Sequence, residues 1–93
     1  MYRIIIALLL FSTSSTANER LDFCNQMQQV ARAAMTSRQA GVPLKTMLQL
    51  VSDETAIGIF RKSYQYPKHD SEADRKKSIE SFSELVLSEC LKT

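Results

Sequence analysis

The chain has 93 residues, with 12 Lys or Arg against 10 Asp or Glu, one His, two Cys and no Trp. A formal charge of +2 excludes the broad basic surface that bulk nucleic-acid binding requires. Two glycines in all exclude a glycine-rich phosphate loop, and the length limits the chain to one domain.

Residues 1–17 read as a cleaved signal peptide. Arg3 makes a short positive region, Ile4 to Phe11 an apolar run, and Ser12 to Ala17 a small-residue tail whose Ser15-Thr16-Ala17 suits a signal peptidase. The apolar run is too short to cross a bilayer, so no membrane span is expected after cleavage. Residues 18–93 then form a single helical domain. Cleavage removes Arg3 alone among the charged residues and leaves a formal charge of +1 on 76 residues. A domain this small has a thin core and needs a staple.

Cys24 and Cys90 are the only cysteines. Export into an oxidising compartment predicts that they form a disulfide. Closing nearly the whole exported chain in this way stabilises it by about 4 kcal/mol on loop entropy. The competing readings are a reactive thiol or a metal site, but two cysteines and one distant His do not complete a tetrahedral zinc shell. No metal or cofactor is expected.

Asn18 is placed to cap a first helix, with Glu19 and Asp22 near its positive end. Along it Cys24, Met27, Ala31, Ala34 and Met35 share one stripe, and Gly41 suits its left-handed termination. Pro43 is placed as the first residue of a second, short helix with Leu44, Met47, Leu48 and Val51 on its apolar face. A third helix starts near Ser52-Asp53-Glu54 and carries Ala56, Ile57, Phe60 and Tyr64. Gly58 inside it marks a kink or a close packing contact. Pro67 holds Tyr66 out of helical geometry and ends that element. Ser71 with Asp74 resembles a capping box and opens a final helix to about Leu91, with Ile79, Phe82, Leu85, Val86 and Cys90 on one face.

No period-two pattern lasts long enough for a strand, so the fold class is all-α: a small four-helix domain. A bridge between the start of the first helix and the end of the last makes these two antiparallel. Met35 then meets Ile79, Ala31 meets Phe82 or Ser83, and Met27 or Gln28 meets Val86 or Leu87. The two short middle helices cover this pair as a hairpin.

Cys24, the Ala-rich continuation to Met35, Arg38-Gln39 followed by Gly41, Tyr64 and Pro67, then Lys77, Ile79, Phe82 and Cys90 resemble a group of small exported two-cysteine proteins of Gram-negative bacteria and their phages. The resemblance implies the periplasm and carries no activity over. In design, though not in motif, the chain is also similar to the small, helical, single-disulfide acid-stress chaperones of that compartment.

No catalytic residue is assigned. His69 is the sole histidine and has no second titrating group placed beside it, and Glu80 and Glu84 follow Lys76 and Lys77 as a solvated ion-paired face. Met27, Met35 and Met47 sit at core spacing rather than as a soft-metal set. The exception is charge on the inner stripe: Arg38 beside Met35, and Arg75 beside Ile79. The register brings them together with Lys76 at the end away from the disulfide, near Lys68, His69 and Lys77. These residues, with Tyr64 and Tyr66 as stacking groups, are the candidate site for an anion or an acidic envelope protein. The structural alternative is that Arg38 caps its own helix and pairs with Asp74 or Glu72. At the other end, Glu89 is placed to pair with Arg20. The sequence therefore predicts a periplasmic interaction or inhibitor-type protein without enzymatic activity. The competing reading is an acid- or stress-responsive chaperone.

Overall fold

The computed structural model describes residues 2–93, with side chains from Asn18 onward. The leader assigned to residues 1–17 lies outside the residues whose side chains are described. No glycine or proline occurs between Tyr2 and Gly41, so nothing local breaks a helix there. Accordingly α1 spans Tyr2–Gln39 as one element. In the full-length chain α1 therefore runs through Asn18, which stands at a helix start only once residues 1–17 are removed.

The C-terminus of α1 forms as its glycine dictates. Gly41 takes φ 81°, its N–H donates to the Arg38 carbonyl at 3.1 Å, and the Val42 N–H reaches back to the Ser37 carbonyl at 3.1 Å. These two bonds are the Schellman pair, which satisfies carbonyls that the helix leaves open. The chain then turns into α2, Leu44–Leu48. Pro43 is its N-cap, one position before the predicted one, because its ψ of 142° is extended; its carbonyl accepts from Thr46 and Met47.

Helix α3 spans Glu54–Ser63 and is capped by Asp53, whose carboxylate accepts the Ala56 N–H at 3.0 Å. Gly58 neither breaks the helix nor marks close packing: α3 runs through it, and a Cβ there would meet nothing within 4 Å. Helix α4 spans Glu72–Lys92 and opens with the Ser71 hydroxyl accepting the Asp74 N–H at 3.1 Å, as the sequence predicts. Among the described residues there is no strand.

α1 and α4 are joined by the Cys24–Cys90 disulfide, with Cα atoms 5.6 Å apart, and α4 packs antiparallel against the part of α1 that runs from Arg20 to Gln39. Their seam holds the core: Ala31 and Met35 of α1 against Phe82 of α4, flanked by Ile79 and Val86. The predicted register is the observed one, and an ion pair between Arg32 and Glu80 crosses the same seam. Glu80 thus takes a partner from α1 rather than from the preceding lysines.

Ile59 of α3 and Tyr66 complete the core, with the Tyr66 ring edge-on to Phe82 at 5.4 Å. The middle helices differ from a covering hairpin. α3 alone packs on α1, while α2 leans on α3 and has no buried residue. Five residues are too few to present a wide apolar face, so Leu44, Met47, Leu48 and Val51 are only half-buried. At the disulfide end Glu89 lies 3.8 Å from Lys92, and Arg20 donates to the Leu91 carbonyl instead of pairing with Glu89.

Candidate functional site

The predicted cationic end is organised around the backbone of residues 64–71. Where this segment leaves α3, Pro67 prevents it from satisfying its own carbonyls in a helix. Side chains from α1 and α4 do so instead. Arg38 donates from Nε to the Tyr66 carbonyl at 3.0 Å, Gln39 from Nε2 to the Pro67 carbonyl at 3.0 Å, and Arg75 from Nε to the His69 carbonyl at 2.9 Å. Gln39 closes the clamp by accepting the His69 N–H on Oε1 at 2.8 Å. Its side chain is 2% exposed, and its amide also faces the Met35 sulfur at 3.4 Å.

Arg38 therefore bonds neither its own helix end nor Asp74 or Glu72, as the structural alternative expected. Its guanidinium lies over the Tyr64 ring, 5.6 Å from the centroid. The Tyr64 hydroxyl donates to the Val42 carbonyl at 2.6 Å, tying the end of α3 to the turn after α1. Burial pushes the Tyr64 hydroxyl pKa up, and the Arg38 charge offsets part of that rise.

Of the other predicted site residues, Lys68 is exposed and extends its ammonium over Gly41, 3.0 Å from where a Cβ would stand, at the negative end of α1. Lys76 lies 3.8 Å from Glu72 in a solvated pair. His69 and Lys77 line a shallow cleft of about 350 Å³ with Asp74, Ser78 and Ser81. Tyr66 belongs to the core. The structure thus gathers the predicted residues at one end of the helix pair, but Arg38, Arg75, Tyr64 and Tyr66 are engaged in holding the loop. Glu72 and Asp74 already occupy the positive first turn of α4.

The opposite end carries a feature that sequence reasoning did not foresee. Between α1, α3 and α4, beside the disulfide, lies an open apolar groove of about 330 Å³. Met27, Ile59, Leu85 and Val86 line it together with Phe23, which is 49% exposed; Leu85 is 38% exposed. Its α3 wall carries Lys62 and its α4 wall Glu89. Leu21 and Leu91, both exposed, extend the apolar surface at the same end.

Among the described residues no three His, Cys, Asp or Glu side chains converge as metal ligands, and no helix is long and apolar enough to cross a membrane. Met35 lies in the core, Met27 in the groove and Met47 on α2, three different settings. Compared with family models, curated proteins and solved structures, the chain matches none.

Proposed function

We propose that this protein is an exported, non-enzymatic helical module that works by contacting another protein surface, and that the groove beside the disulfide is where the contact is made. The observation that carries the reading is the exposure of Phe23 and Leu85 over an apolar floor in so small a domain. Clustered apolar surface rimmed by charge marks contact sites on soluble chains, whereas scattered exposed residues do not. The disulfide and the signal-like residues 1–17 support an oxidising destination, and the resemblance to exported two-cysteine proteins favours the periplasm. The cationic end is the secondary contact surface, through Lys68, His69 and Lys77, because Arg38 and Arg75 serve the loop.

An acid-triggered chaperone is less well supported. Every Asp and Glu is exposed, so protonation breaks no buried ion pair and gives acid little leverage on the core.

The test is capture by tagged, disulfide-bonded protein from an envelope extract that also contains the untagged chain. The reading expects a stoichiometric protein to be retained, either a different one or the untagged chain itself. Phe23→Glu abolishes retention with helicity unchanged, while Lys68→Glu with Lys77→Glu weakens it less. Equal retention by Phe23→Glu, or no retained protein at all, overturns the reading.

A further inference from the structure

We infer that the Cys24–Cys90 bridge is exchangeable, that an incoming thiolate attacks it at Cys90 from the groove, and that its opening releases the α4 wall of that groove. This rests on the groove being the contact surface and names its regulation. The two half-cystines stand in different settings. Cys24 is 1% exposed and lies outside the groove lining, whereas Cys90 is half-buried and lines the groove. Exchange requires a thiolate to reach one of the two sulfurs, so access selects the one attacked.

In the first step a bond forms between the incoming sulfur and Cys90 as the Cys24–Cys90 bond breaks, and the bonding pair leaves on Cys24. A second thiolate then attacks the incoming sulfur, Cys90 leaves as a thiolate, and the two external sulfurs depart as a disulfide. Two electrons pass from the external thiols to the protein, and the two protons those thiols lose balance the two that Cys24 and Cys90 gain. The co-reactant is therefore a pair of thiols or one dithiol.

The buried cluster of the seam ends at Val86. Beyond it the tail of α4 is tied to α1 by the bridge and by the exposed bond from Arg20 to the Leu91 carbonyl at 3.4 Å. Glu89, Cys90 and Thr93, all past Val86, form part of the groove wall. Opening the bridge leaves that wall weakly held, while Ala31, Met35 and Phe82 keep the rest of the seam together. A protein docked over Phe23 and Leu85 is then released.

The experiment starts from the disulfide-bonded protein as recovered from expressing cells. It is exposed briefly to glutathione at neutral pH, quenched with N-ethylmaleimide and mapped by peptide mass. Glutathione should stand on Cys90 at least tenfold more often than on Cys24, and the preference should collapse in urea, where both sulfurs are accessible. Equal labelling of the folded protein, a preference of the same size in urea, or a folded protein left unmodified overturns the inference. With the bridge reduced by dithiothreitol, the methyl signals of Ala31 and Met35 should hold their positions while those of Met27 and Leu91 move, and Phe23-dependent capture should fall about tenfold or more. Collapse of every signal, or unmoved Met27 and Leu91 signals, also overturns it. Capture equal in both redox forms sinks this inference and leaves the groove as the contact surface. Absence of capture by the bridged protein sinks the contact reading instead, and the labelling and methyl signals still decide whether the bridge opens at Cys90.

Discussion

Replacing Gln39 tests whether the clamp on residues 66–69 holds the two long helices to the loop. Gln39→Met keeps the side-chain volume near that of the original and removes the amide. The Pro67 carbonyl loses its donor and the His69 N–H its acceptor, at original distances of 3.0 and 2.8 Å. Leaving a buried polar group unpaired costs about 1–3 kcal/mol, and water reaches part of this loop, so the expected loss is about 2–4 kcal/mol. That is a large fraction of the margin of a domain this size.

Gln39→Glu sharpens the test, since its carboxylate still accepts from His69 but turns a second oxygen toward the Pro67 carbonyl. Burial disfavours the charged form, so the introduced carboxyl holds its proton to higher pH in the folded than in the unfolded chain. Stability is then greatest below the unfolded carboxylate range and falls as pH rises through the folded value. The assay is urea unfolding followed by helical circular dichroism at neutral and acidic pH, with hydrogen exchange read at the His69 amide. A loss below about 0.5 kcal/mol for Gln39→Met, with the His69 amide still protected, refutes the clamp.

Gly58→Ala should stabilise the protein by about 0.5–1 kcal/mol in urea, because the added methyl enters open space within α3; a lower midpoint would mean that the position is packed. Replacing both Cys24 and Cys90 by Ala opens a loop of 66 residues and should cost about 4 kcal/mol, lowering the urea midpoint steeply; coincident curves would contradict the stapling role. Because the Tyr64 pKa is raised in the fold, its contribution to stability is full below the unfolded tyrosine value near 10 and is lost as pH climbs through the folded one. Alkaline melts should therefore fall less steeply for Tyr64→Phe than for the original chain, and identical slopes would contradict the assignment.

The helical pair was legible because its signals are local or periodic. Gly41 and Ser71 mark helix ends by backbone chemistry, and the Ala31–Met35 and Ile79–Phe82 stripes set the register once Cys24 is paired with Cys90. Other features depended on contacts that span the chain. Arg38 and Arg75 could be placed on the inner stripe, yet nothing near them in sequence shows that carbonyls of residues 66 and 69 receive them. Gln39 gave a partial signal: it lies four residues beyond Met35 on the core-facing side, and a polar group there must find partners. The groove could not be read at all, because it exists only where Ile59 and Lys62 of α3 come up against α1 and α4. Asn18 lies inside α1 of the full-length chain, since a good capping residue does not start a helix where the preceding residues are helical; its capping role belongs to the chain without residues 1–17.

The most direct measurement of the central claim is a methyl NMR comparison of the disulfide-bonded protein with and without its binding partner, reached by concentration for a second copy or by titration for a captured protein. Contact through the groove predicts that the methyl signals of Met27, Ile59, Leu85 and Val86 shift together, while those of Ala40 and Val42 at the other end stay in place. Shifts confined to Ala40 and Val42, or groove methyls that never respond, would contradict it.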